Sequence, residues 1–369
     1  MRRRAGLDDY FQKVAESLVK EIERGTAPWV QAWEPGVKIL PYNVKTGKTY
    51  RGGNSVFLAS EASKRGFGDE RWGTYRQIQE MGGQVRKGER GCAILFWQFE
   101  GRRLARDENG KPVLDESDRP VYESVRLRSP RVYRYTVFNA EQATGLPDRP
   151  DRAPGGYEWD RHQDADRVIG ASGASIRHSG QNVAAYDMAM DRITLPFKHQ
   201  YPTAAGYYQS ALHEMGHWTG HPDRLNRTTL LQGMRQGPRS SAYAREELRA
   251  EISSMITGDR LSLGHDPKRS ANYVGAWVTR LRKDPLEVYR ASRDAQHMSD
   301  FLLDRARVRE HTRADRDRVH HGEPAGASDR PTDIRAPVPR AGRSMHLPTR
   351  SYAVVGAPIG RRPEIGPDR

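Results

Sequence analysis

The stretch 211-ALHEMGHWTGHPDRL-225 decides how this chain is read. His213, Glu214 and His217 spell H-E-x-x-H. Residues four apart share one face of a helix, so both imidazoles can reach a single zinc ion. Glu214 then lies beside the metal, placed to take a proton from a water molecule. Tyr208, Leu212 and Met215 fall on an i, i+4, i+7 stripe, which predicts the helix that the pair requires.

A catalytic zinc takes three protein ligands and keeps one position open. Two residues compete for the third place. Glu247 lies thirty residues after His217, in a predicted helix over 241–256. Glu247 and Glu251 are i, i+4 neighbours beside the apolar stripe of Ala244, Leu248, Ile252 and Met255. Carboxylates on the core side of a helix are costly unless they bind something. Glu247 on the metal, with Glu251 behind it hydrogen-bonding a ligand imidazole, satisfies both. Glu246 reads as a solvated neighbour. The rival is Asp223, which completes the longer pattern H-E-x-x-H-x-x-G-x-x-D with a turn at Gly220.

The chain has 369 residues, room for two domains, with 36% hydrophobic residues and a mean hydropathy of −0.86. No apolar run approaches the length of a membrane span, and the start MRRRAGLDDY has no apolar signal core. The single cysteine, Cys92, excludes an intramolecular disulfide framework and sits in the apolar run CAILFW, so it reads as a buried small hydrophobe. These features predict a cytoplasmic protein with no membrane association. A formal net charge of +14 favours phosphate-rich partners.

Residues 8–25 predict a helix with Phe11, Val14, Leu18 and Ile22 on one face, ended by Gly25. Between Lys38 and Trp97 basic residues outnumber acidic ones, and glycines and aromatics are interleaved with them. Strands are expected over 91–99 and 124–139, with a charged hairpin between them turning at Asn109-Gly110. The expected fold is α+β: an N-terminal α+β domain over 1–145, a linker over 146–156, and a mainly helical domain over 157–305. A Pro/Arg-rich tail over 306–369 is expected to be disordered.

The strings HEMGHWTGHPDRLNR and YAREELRAEI resemble the zincin-like C-terminal domain of ArdC-type antirestriction proteins. APWVQAW, LPYNVKTGKTYRGGNSVFL, RWGTYRQIQEMGGQVRKGERG and AILFW resemble the N-terminal domain of that family, which it shares with TraC-like primases. The resemblance covers roughly residues 8–305. It departs from the family pattern at Gly53 and in the long tail. It implies single-stranded DNA binding by the first domain, a Zn²⁺ metallopeptidase-like second domain, and protection of incoming plasmid or phage DNA from host restriction. A host restriction protein is then a possible substrate or target. A non-catalytic scaffold and a dedicated regulatory protease are the rival readings.

Single-strand binders combine a basic groove with aromatic platforms. Lys45, Lys48, Arg51, Arg71, Arg76, Arg86, Lys87 and Arg90 are the candidate phosphate contacts. Tyr50 and Trp72, each next to an arginine, are the leading stacking residues from a pool that also holds Trp29, Trp33, Tyr42 and Tyr75.

Overall fold

A computed structural model describes residues 2–33, 38–149, 158–265, 273–320 and 353–355. The described residues form two compact units, one from those within 39–151 and one from those within 1–38 and 152–369.

The first helix, α1 (Arg2–Glu23), belongs to the second of these units. Its stripe of Phe11, Val14, Leu18 and Ile22 is buried, but in the unit formed with the C-terminal residues. Phe11 meets Tyr289 edge-on at 4.9 Å, and the Tyr289 hydroxyl donates to that of Tyr10 at 3.0 Å. A one-striped helix needs an apolar partner, and sequence adjacency does not choose which.

The unit over 39–151 runs β1 (Tyr42–Asn43), α2 (Gly53–Arg65), β2 (Arg71–Thr74), α3 (Tyr75–Glu80), β3 (Gln84–Val85), β4 (Cys92–Leu104), β5 (Tyr122–Asn139) and β6 (Ala143–Thr144). Its main sheet has the order β1-β2-β5-β4. α3 starts on a capping box in which Thr74 accepts from the Gln77 amide. Trp72, Ile78, Ile94, Leu95 and Val137 are core residues. Cys92 is buried among them, and burial pushes its thiol up to about 12, the behaviour of an inert packing residue. Of β5, only the last residues, Val137–Asn139, pair with β2. The rest of β4 and β5 is therefore a two-stranded ribbon.

The second unit continues with α4 (Glu158–Ser172), β7 (Ser175–Ser179), β8 (Ala185–Asp187), β9 (Arg192–Pro196), α5 (Ala204–Trp218), α6 (Thr228–Gln236), α7 (Ser241–Arg260), α8 (Val274–Lys283), α9 (Glu287–His320) and β10 (Ala353–Val355). The small sheet has the order β10-β8-β9-β7, with β7 and β9 parallel. α5 and α7 pack together over a core that includes Tyr208, Leu212, Met215 and Trp218. Gly216 sits in this contact: a Cβ there would lie 3.4 Å from the Cα of Ala250 on α7 and 3.1 Å from the end of the Met298 side chain on α9. Of the tail expected to be disordered from 306, residues 306–320 continue α9 and 353–355 pair with β8. Residues 321–352 and 356–369 lie outside the described residues, as do 150–156 of the expected linker.

Candidate metal centre and the charged surface of residues 39–151

The close packing of α5 on α7 brings the two motif-bearing helices face to face. α5 carries His213 and His217 on one side, and their Nε2 atoms are 3.2 Å apart. Across from them, Glu247 on α7 places Oε2 3.3 Å from His213 Nε2 and Oε1 3.5 Å from His217 Nε2. Ligand atoms of the three residues lie within 4.8 Å of one another. Both imidazoles thus turn the same nitrogen toward one carboxylate.

The other ring nitrogens are also held. His213 Nδ1 lies 3.1 Å from Glu251 Oε2, and His217 Nδ1 lies 3.4 Å from Glu246 Oε1. A carboxylate at Nδ1 holds the hydrogen there and leaves Nε2 as a lone-pair donor, which orients each ring toward the common point.

Glu246 departs from expectation. It is buried, not solvated: Arg227 Nη2 donates to Oε1 at 2.5 Å and Thr229 Oγ1 donates to Oε2 at 2.6 Å. The reason is local. α6 follows α5 closely and delivers Arg227 and Thr229 to the face of α7 that sequence spacing left open. Arg227 also donates to the Gly216 carbonyl at 2.8 Å and to Thr219 at 2.6 Å, so one guanidinium ties the end of α5 to Glu246. Glu251 has a second partner as well, His265 Nε2 at 3.2 Å. His265 stacks on Trp33 at 4.7 Å, and the two residues exchange backbone hydrogen bonds. Trp33 and the fully buried Trp29 therefore serve this unit's interior, not a nucleic-acid platform.

Asp223 does not join the cluster. Its side chain is 86% exposed and its carboxylate sits 3.5 Å from His221. Gly220 instead packs against the Arg227 guanidinium, where a Cβ would come within 2.7 Å of Nη2. Glu214 is fully buried on α5 between the two histidines.

The electrostatics match a cation site. Burial lowers the His213 pKa, but hydrogen bonds to Glu247 and Glu251 outweigh it and bring the ring to about 10. Burial raises Glu247, yet the two imidazoles hold it well below the usual carboxylate range. Arg227 balances Glu246, which leaves the carboxylates of Glu247 and Glu251 on two imidazoles, a donor set that a divalent cation would satisfy. Glu247 Oε1, buried and without a hydrogen-bond donor among the described residues, is the atom such an ion would complete. Two imidazole nitrogens and one carboxylate suit a first-row divalent metal with an open position. Tyr243, one turn ahead of Glu247, has no counterpart in the sequence motifs. It is buried, and burial together with the Glu247 charge pushes its hydroxyl pKa up.

The candidate DNA-binding residues meet a mixed outcome. Trp72 is fully buried, edge-on to Phe67, and cannot stack on a base. Arg71 is buried too, with its guanidinium on Asp69 and on the Pro147 carbonyl, so it holds the loop rather than a phosphate. The Tyr50 hydroxyl is tied to Asn43 and to the Trp72 carbonyl. Lys45 and Arg76 both pair with Glu80, at 2.7 and 2.9 Å, and Arg86 pairs with Glu89 at 2.7 Å. Lys48, Arg51, Lys87 and Arg90 are exposed.

A model of the N-terminal domain of the anti-restriction factor ArdC matches residues 8–138, and a zincin-like metallopeptidase model matches residues 163–294. The metal-free crystal structure of the antirestriction protein ArdC from plasmid R388 aligns with a TM-score of 0.61 and 34% identity, covering 81% of this chain and 98% of that one. The chain belongs to the ArdC antirestriction family. A Mn(II)-bound structure of the R388 ArdC protein aligns with a TM-score of 0.59 and 32% identity, covering 80% of this chain and 97% of that one. A DNA primase TraC of Escherichia coli is 46% identical over 299 residues, 80% of this ArdC-family chain but 27% of TraC. The chain thus spans about a quarter of the length of that relative. An uncharacterized protein of Sinorhizobium fredii, y4eC, is 35% identical over 298 residues, covering 80% of this chain and 91% of that protein. The family resemblance read in the sequence stands. So does its α+β fold, and no helix among the described residues is long and apolar enough to cross a membrane.

Proposed function

We propose that this ArdC-family chain is a cytoplasmic protein of a mobile genetic element that binds single-stranded DNA and protects incoming DNA from host restriction. In this reading residues 39–151 bind DNA, and the second unit holds Zn²⁺ on His213, His217 and Glu247. The observation that carries the metal assignment is the convergence of both Nε2 atoms and the Glu247 carboxylate, with Glu251 and Glu246 behind the rings. Manganese occupies the R388 ArdC relative. Imidazole-rich sites bind zinc more tightly than manganese at equal availability, which favours zinc here.

A bound divalent metal would supply Lewis-acid activation of a water oxygen. The chain's own residues do the rest. Glu251 and Glu246 fix the imidazole orientation, and Glu214 accepts the water proton and returns it to the leaving amine of a cleaved peptide bond. A host restriction protein is the substrate class this chemistry suits.

Glu214→Ala removes the base and no ligand, so it separates proteolysis from DNA shielding. Zinc content and single-strand binding should equal those of the parent, with peptidase turnover lost. Plasmid transfer into a restricting host then decides the rest. Loss of protection would make proteolysis the protective act, and retained protection would make DNA occupancy sufficient. A parent protein that takes up no zinc in a competition titration would refute the metal assignment.

A further inference from the structure

We infer that the projecting part of the β4–β5 ribbon, not the basic stretch around α3, is the surface that takes single-stranded DNA. The inference rests on the single-strand-binding reading above and specifies its site. Among the described residues, all exposed large hydrophobic side chains except Tyr75, Met190 and Phe197 lie between Phe96 and Tyr135. Three of them, Phe96, Tyr133 and Tyr135, have neighbouring rings, and contiguous exposed apolar patches mark contact sites.

Register puts the patch in order. Directly opposed residues of an antiparallel pair share a face. Phe96 faces Tyr133, Ile94 faces Tyr135 and Gln98 faces Arg131. One face of the ribbon therefore presents Tyr135, Phe96, Tyr133 and Arg131 in succession. Phe96, Tyr133 and Tyr135 are 54%, 40% and 46% exposed, and Phe96 lies 6.4 Å from each tyrosine ring. The inner end of this face is anchored by buried Ile94 and Cys92. The edge of β4 is fixed there too, because Asn54 donates to the Leu95 carbonyl at 2.7 Å and accepts from its amide at 3.2 Å. The rings thus stand on a held base and project into solvent.

Charge selects the occupant. Arg126, Arg128, Arg131 and Arg134 are exposed on β5, and none has a carboxylate partner among the described residues. By contrast Lys45, Arg76 and Arg86 are already neutralised by Glu80 and Glu89. By register Arg131 shares the face of the three rings, while Arg134, opposite Leu95, is on the other face with exposed Trp97. Unpaired arginines and exposed rings on one ribbon match a polyanion whose bases are free to stack, and a duplex keeps its bases inside. An apolar protein partner or a second copy of this chain would not need four unpaired arginines.

The test uses the full chain and a labelled single-stranded oligothymidylate in an anisotropy titration. Phe96→Ala, Tyr133→Ala and Tyr135→Ala should each weaken binding about tenfold, while Tyr133→Phe, which keeps the ring, should bind like the parent. Arg131→Glu with Arg134→Glu should weaken binding further and flatten the salt dependence, by about 0.7 in log–log slope for each phosphate that is no longer neutralised. All these side chains are exposed, so an unchanged thermal transition should certify the fold of each variant. If the parent binds and the ribbon variants bind equally well, the ribbon assignment is overturned while the single-strand reading survives. If the parent does not bind, both fall. If the variants leave DNA binding intact but abolish a parent dimer in sedimentation, the patch belongs to a second copy and the inference is wrong.

Discussion

On α7 the charged side chains Glu246, Glu247, Arg249 and Glu251 are buried, and each meets ionisable partners from another helix. On β5 the arginines 126, 128, 131 and 134 stand in water without a carboxylate. The same residue types thus do two kinds of work. A buried charge must find its counter-charge within the fold, so its position is over-determined and its removal is costly. An exposed charge without a partner leaves the fold indifferent and is available to a ligand. The contrast ranks residues by what their loss should do.

The largest effects belong to the three proposed ligands. His213→Ala or His217→Ala should abolish stoichiometric metal binding, and Glu247→Ala should weaken it strongly. Asp223→Ala should leave it at the parent value, since that carboxylate is in solvent beside His221. Elemental analysis after dialysis, followed by a chelator competition, ranks the four. Full metal in either histidine variant, or the reverse order of Glu247 and Asp223, would break the assignment.

Next come the two carboxylates behind the rings, which sharpen the contrast because they differ from each other. Glu251→Ala should cost on the order of 10–100-fold in metal affinity by freeing His213 Nδ1. Glu246→Ala should cost a similar factor and also strand Arg227, a buried cation whose remaining partners are neutral oxygens. Breaking a buried pair from one side costs about 3–5 kcal/mol. Denaturant unfolding of the metal-free proteins separates the two roles: Glu246→Ala should be clearly the less stable. Equal stabilities would mean that Arg227 relaxes into solvent and that Glu246 is only a ring-positioning group.

Helical spacing explains why the cluster of His213, His217 and Glu247 is legible in the sequence. His213, His217, Glu247 and Glu251 lie in local patterns, and period 3.6 fixes which side chains share a face. Glu246 is not legible in the same way, because its partners, Arg227 and Thr229, arrive from a different helix, and no spacing within α7 announces them. α1 falls in the other unit for a related reason: an apolar stripe shows that a helix will pack, not on what. Trp72 and Arg71 resemble a stacking pair because they are adjacent, yet β2 is a central strand and both side chains are buried. The ribbon face is invisible in the sequence because it depends on strand register across 96–133, and a bulge after Gln98 resets that register.

The smallest expected effects lie where exposed charges are already paired, and they test the contrast from its weak side. Glu80 accepts from both Lys45 and Arg76, and those two cations, Lys45 first, hold its carboxyl below the usual range. A phosphate approaching either cation must compete with that carboxylate, so little net attraction is left. Lys45→Ala and Arg76→Ala should each change single-strand affinity by less than about threefold and leave the salt slope within error. Glu80→Gln should do the opposite and raise affinity slightly, because it releases both cations for a phosphate. Arg131→Ala, measured in the same titration, should exceed all three. If Lys45→Ala or Arg76→Ala instead costs about tenfold, the pairing with Glu80 yields to DNA, and the surface around α3 joins the ribbon as part of one continuous track.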